Sequence, residues 1–190
     1  DIISSYDGRN GWGGGDYDGG PITLTNGTIN VSGKLAVVGN DTNHFAVLQL
    51  KDVALTCANI QILDGWKDPS VSYGKGRLTV EGDTSVHANN LLMGCTTSDG
   101  NPASEAQFVM NGGTAAFTSI DLPDKDKAYV TARIEINAGT LEMQNFRGCY
   151  KWSSSTATLA FNGGTLKAPS EFDSTVEFRR RLEQIGIAHV

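Results

Sequence analysis

The sequence predicts an all-β chain wound as a single-stranded parallel β-helix, a solenoid of about six coils of 25–30 residues. Three observations carry the prediction. A frame of apolar-x-apolar, a polar corner and a small residue recurs: Phe108-Val109-Met110-Asn111-Gly112-Gly113-Thr114, Ile134-Glu135-Ile136-Asn137-Ala138-Gly139-Thr140 and Leu159-Ala160-Phe161-Asn162-Gly163-Gly164-Thr165. Looser copies end at Thr28, Ala54 and Thr84. Taken as markers, residues 28, 54, 84, 114, 140 and 165 stand 25–30 apart, and self-similarity at such a period is the mark of a solenoid. Finally, the positions six and four before each marker are all apolar: Ile22/Leu24, Leu48/Leu50, Leu78/Val80, Phe108/Met110, Ile134/Ile136 and Leu159/Phe161. Period two is that of a strand with one buried face, and at 39% hydrophobic content chance does not readily supply it.

Residues 1–20 contain a Gly-rich run with Asp16 and Asp18 and read as an N-terminal cap or flexible segment. Gly11-Trp12-Gly13-Gly14-Gly15-Asp16 brushes against the calcium-binding β-roll motif, but that motif works as a tandem array and one imperfect copy stands here. Trp12 and Tyr17 are candidates to cover the open end of the stack, since bare strand edges invite association.

Residues 21–172 are the repeats. The pairs above form the first run of each coil. Next comes the Asn-Gly-Gly corner, where Gly takes positive φ at little cost. A second alternating run follows: Ile29/Val31, Leu55/Cys57, Ala115/Phe117 and Leu141/Met143. A third holds Leu35/Val37, Ile60/Ile62, Leu91/Met93 and Ile120/Leu122. Stacking would pair each run with its copies about 4.8 Å above and below and make one continuous core. Asn111, Asn137 and Asn162 would then share a column, with Gly113, Gly139 and Gly164 beside them. Their amides can bond as a ladder, or serve turn chemistry alone; both readings are open.

The longer excursions Asp64–Gly76, Thr96–Ser104, Pro123–Val130 and Cys149–Ser155 each join a third run to the next first run. In register they emerge on one side of the rod, where solenoids often bind partners. Trp66, Tyr73, Tyr129, Tyr150 and Trp152 lie in them. These rings suit stacking on sugar faces and equally suit packing onto the sheet below. Residues 173–190 break the pattern and read as a tail, a short helix or the start of a further coil. No signal peptide is read, and the opening at Asp1 fits a mature form or an excised fragment.

Net charge is −6 with no basic patch, which argues against nucleic acid. Arg179-Arg180-Arg181 is read as a solvated face. No apolar run reaches the roughly 20 residues of a membrane span. Cys57, Cys95 and Cys149 show no zinc spacing. Cys57 falls in an apolar column, and Cys95 and Cys149 belong to coils two apart, beyond disulfide reach. Free thiols are expected, and neither metal nor cofactor.

Catalysis on polysaccharide would need carboxylates converging from neighbouring coils, or a basic residue beside metal-binding acids. The outward candidates Lys51, Glu81, Glu135, Glu142 and Lys167 do not form such a cluster in the predicted register. Asp121, Asp124 and Asp126 with Lys125 and Lys127 read as a solvated loop. His44, His87 and His189 are isolated, and His87 is expected at an apolar position of the second run.

The Phe161-Asn162-Gly163-Gly164-Thr165-Leu166 element and its siblings at 108–114 and 134–141 resemble the autotransporter-associated β-strand repeats of bacterial surface and secreted proteins. The likeness is best from Ala106 to Leu166 and looser from Pro21 to Leu92. It implies a passenger-type rod at the cell surface or outside the cell, wound right-handed, as parallel crossovers usually are. That family has no common catalytic residues to transfer. The expected function is a structural or binding module for adhesion, self-association or glycan contact. Expected partners are polysaccharide or another protein chain, with end-to-end or side-by-side self-association. The alternative is a polysaccharide-degrading β-helix enzyme, lyase or glycoside hydrolase, or a fragment of one.

Overall fold

Every strand pairing in the structure is parallel. The structure, a computed structural model, describes residues 2–6, 21–39, 45–63, 74–94, 104–122, 130–147 and 156–167. Nine strands follow in order: β1 (Ile2–Tyr6), β2 (Ile22–Gly39), β3 (Phe45–Ile62), β4 (Lys75–Glu81), β5 (Ser85–Met93), β6 (Ser104–Asp121), β7 (Val130–Arg147), β8 (Thr156–Phe161) and β9 (Thr165–Lys167). The architecture is a parallel β-solenoid of about four turns. β2, β3, β6 and β7 are 18 residues each and carry all three runs around their corners without a break.

The first-run register is the one the apolar spacing predicts. Ile22, Leu48, Leu78, Phe108, Ile134 and Leu159 pair rung on rung. So do Leu24, Leu50, Val80, Met110, Ile136 and Phe161. The third run stacks Leu35, Ile60, Leu91, Ile120 and Phe146. These columns line the interior, where Leu50, Ile60, Leu78, Phe108, Ile120 and Ile136 have no exposed surface. Two aromatic rings fill the middle, Phe108 and Phe117 meeting edge to face at 5.6 Å.

One expected register is displaced by a residue. Ser85, not Thr84, stands between Ala54 and Thr114 at the marker position. The corner after β4 holds an extra residue, with Gly82 at φ +62°. Thr84 tucks inside instead. Its hydroxyl donates toward the carbonyls of Glu81 (2.6 Å) and Leu50 (3.2 Å) and accepts the Val53 N–H, so a buried polar group is satisfied. The shift turns the following strand over. Val86 and Ala88 join the inward columns with Leu55 and Cys57, and His87, expected at an apolar position, is exposed. A one-residue slip moves every side chain to the opposite face.

The segment before β2 also holds a strand that the apolar pattern does not signal. β1 pairs with Leu35–Gly39, below the third run of β2. Residues 7–20 and the tail at 173–190 lie outside the described residues, as do the four excursions from 64–73, 95–103, 123–129 and 148–155. Strand structure begins slightly earlier than the excursion limits suggest, with Lys75, Gly76, Ser104 and Val130 already in strands.

Candidate functional site

The five aromatic candidates Trp66, Tyr73, Tyr129, Tyr150 and Trp152 lie outside the described residues, with Cys95, Cys149, His44 and His189. The sites that can be built are the corners and the outward faces of the first and second runs.

At the first corner Asn137 Nδ2 donates to Asn111 Oδ1 at 2.8 Å, and Asn162 Nδ2 donates to Asn137 Oδ1 at 2.7 Å. The amides thus bond up the stack, one rung to the next. Two carboxylates flank the column: Asn111 reaches Glu81 at 3.4 Å and Asn162 reaches Glu135 at 3.2 Å. The left-handed residue is the last Gly of each corner, Gly113 (φ +68°), Gly139 (+85°) and Gly164 (+82°). In the looser copies Asn26 (+53°) and Asp52 (+56°) take that role, as the short polar side chains that best tolerate it. Replacing Asn137 with alanine breaks the ladder in its middle. The expected cost is about 1 kcal/mol, measurable by urea denaturation, with the Asn162 substitution costing less because it breaks one of the Asn–Asn bonds rather than both.

A second polar column runs where the second run meets the third. Lys34, Asn59, Asn90, Ser119 and Asn145 stack in register, and Asn90 Nδ2 donates to Asn59 Oδ1 at 2.7 Å. The signal was present in the sequence: each of Asn59, Asn90, Ser119 and Asn145 directly precedes an interior residue of the third run.

The outward face of the first run is a band of paired polar side chains beside a shallow depression of about 400 Å³. Arg77 Nε donates to Gln107 Oε1 at 2.8 Å, and Gln107 in turn donates to Glu105 Oε2 at 3.1 Å. Lys75 closes on Glu105 at 2.7 Å. The Lys75 and Arg77 cations also lie over the Phe45 ring, at 5.3 and 4.4 Å. Arg133 Nε donates to Glu135 Oε2 at 3.0 Å. That bond holds the Glu135 carboxyl below its ordinary pKa. Partial burial opposes the shift, and Asn137 and the Arg77 charge add to it. A general acid needs the opposite displacement. Glu81 lies opposite Lys51 and Glu135 opposite Val109, so the two carboxylates belong to different columns two coils apart. At about 4.8 Å per rung their backbones stand about 10 Å apart along the axis, and both side chains line the depression.

The second-run face holds a larger groove of about 560 Å³ along the stack. Its outward column is Thr56, His87, Ala116, Glu142 and Lys167 in rung order, with Thr118 and Gln144 alongside. Lys167 Nζ meets Glu142 Oε1 at 2.7 Å, an exposed pair worth little to stability. Ala116 leaves a gap between His87 and Glu142. Cys57 and His87 both line this groove, but Cys57 belongs to the inward column and His87 to the outward one. Burial pushes the Cys57 thiol up to about 11, so it stays protonated at neutral pH and cannot serve as a thiolate nucleophile. Alkylation of Cys57 at pH 8 is expected to be roughly 100-fold slower in the folded chain than after unfolding, read by peptide mass mapping after timed labelling. Rapid labelling of the native protein would show the column open.

Among the described residues no group of three or more His, Cys, Asp or Glu is placed to hold a metal ion, and no helix is long and apolar enough to cross a membrane. Comparison with protein-family models, with curated proteins and with solved structures finds no match to this chain.

Proposed function

We propose that the chain is a non-catalytic structural and binding rod. In this reading it is a right-handed parallel β-helix of six coils, each 25–30 residues, built on autotransporter-associated repeats. It works outside a bacterial cell or on its surface, in adhesion, self-association or glycan contact. What supports the reading is one feature of the outward faces: several of their charged and amide side chains bond to neighbours along the strand or on the adjacent rung. Arg77 engages Gln107, Arg133 engages Glu135, and Asn111, Asn137 and Asn162 engage one another. Such surfaces present an even, repetitive face to a ligand.

The test is a panel of bacterial and plant polysaccharides incubated with the full chain. Retention on one or more of them without release of reducing ends or unsaturated products is the expected result. Trp66→Ala and Trp152→Ala are expected to weaken that retention. Turnover of any member of the panel would overturn the reading in favour of a polysaccharide-degrading enzyme.

A further inference from the structure

The groove on the second-run face differs from the first-run face in how its polar side chains are engaged. Thr56, His87, Asn89, Thr118 and Gln144 line the groove and are exposed. Among the described residues none of these five side chains makes a hydrogen bond or an ion pair. On the first-run face, by contrast, Arg77 is bonded to Gln107 and Arg133 to Glu135. The groove also has length. It crosses β3, β5, β6, β7 and β9, and from Thr56 to Lys167 it climbs four rung steps, about 19 Å.

Two outward columns build it. In the first, Ala116 forms a notch, with His87 one rung below and Glu142 one rung above. The second holds Asn89, Thr118 and Gln144 on successive rungs, each directly before the paired residues Asn90, Ser119 and Asn145. Phe117 and Met143 also line the groove. At 3% and 2% exposure they give it a thin apolar floor and no pocket for a buried anchor.

The chemistry of this lining selects its occupant. A peptide that adds to a sheet needs an unpaired strand edge, and the strands here are paired with one another from β3 through β7. An amphipathic helix needs deep apolar pockets for its anchors. A polyanion needs unpaired cations, and the lysine of the groove, Lys167, is paired with Glu142. What the lining offers instead is hydroxyl and amide groups that both donate and accept, repeated on successive rungs. They complement the hydroxyls of a sugar chain. We propose that this groove binds an unbranched, uncharged polysaccharide lying along the rod axis. Asn89, Thr118 and Gln144 bond to hydroxyls along the chain, and one sugar ring sits on Ala116 between His87 and Glu142. The inference rests on the rod reading above and gives its glycan contact a ligand class and a place.

The test measures, by calorimetry, binding of the full chain to unbranched hexasaccharides of glucose, mannose and xylose, with hexagalacturonate as the charged counterpart. At least one neutral hexasaccharide is expected to bind. Its disaccharide is expected to bind far more weakly, because it spans a fraction of the groove, and hexagalacturonate more weakly as well. Asn89→Ala combined with Gln144→Ala is expected to lower the affinity roughly tenfold, as the loss of two hydrogen bonds implies. Ala116→Gln fills the notch without removing a polar group and is expected to lower it by a similar factor. All three positions face outward, and unchanged urea midpoints check that the variants fold. Unchanged affinity in both variants overturns the groove, as does equal binding of disaccharide and hexasaccharide, equal binding of hexagalacturonate, or no binding of any neutral hexasaccharide. If the groove fails in one of these ways while the chain is still retained on the polysaccharide panel, the site is wrong and the binding rod stands. A chain retained by no member of the panel removes both.

Discussion

Phe108→Ala is expected to destabilise the chain by about 3–5 kcal/mol, the largest effect of any single truncation proposed for this molecule. Phe108 has no exposed surface and sits in mid-stack, between Leu78 below and Ile134 above. Its ring also supports Phe117 across the interior. The cost of such a truncation depends on how far the surroundings can collapse into the void. Here they can collapse little, because the neighbouring rungs are held at strand spacing by hydrogen bonds on both sides. For a chain of this length a loss of that size lowers the melting temperature by roughly 6–20 °C. Phe161→Ala provides the contrast. The side chain occupies the same kind of interior column but on the terminal rung, 39% exposed, and its removal is expected to cost about 1 kcal/mol, the typical effect of a single substitution. Parallel urea titrations would compare the two. Equal losses would mean that the end rung is as well covered as the middle.

That contrast also marks how far the sequence alone could be read. The first-run register was legible because two apolar positions and a corner recur together six times, and an error of one residue would expose twelve apolar side chains. The third run was legible for the same reason. The displacement at Thr84 was not. The extra residue leaves the first-run spacing at 30 on both sides, Leu48 to Leu78 to Phe108, and alters only the second run, where Ala54 to Ser85 is 31 and Ser85 to Thr114 is 29. Only the pairing of Ser85 with both Ala54 and Thr114 shows it. His87 therefore read as interior when it lines an open groove. The groove itself is a property of five coils at once, from Thr56 to Lys167, and no local pattern announces it. The polar column at Asn59 and Asn90 was visible in principle, but a lone Asn before a weak apolar pair carries little weight until the strands above and below are known. β1 lacked any signal, because a single five-residue strand has no copy to be compared with.

The glycine of the tight corner supplies the second large effect, Gly139→Ala. Two separate costs apply. Gly139 has φ +85°, a conformation that costs an L-residue about 1–2 kcal/mol. A methyl group there would also meet the Gly112 backbone on the rung below, at 2.7 Å from its carbonyl carbon and oxygen, and the Gly113 carbonyl oxygen besides. Those atoms belong to the ladder and cannot swing aside as a flexible side chain would, so overpacking adds about 1–3 kcal/mol. The sum is about 2–5 kcal/mol. Gly27→Ala offers a control at a corner with the same Asn-Gly beginning. There the left-handed residue is Asn26, and an added methyl finds nothing within 4 Å. That substitution is expected to be neutral or to stabilise by about 0.4–1 kcal/mol through the unfolded chain. The sign difference is the informative quantity. The left-handed backbone and the coil directly beneath both act on Gly139, and neither acts on Gly27. Equal effects from the two substitutions, measured by thermal and urea denaturation, would show that the corners of neighbouring coils do not press on one another as the rung register requires.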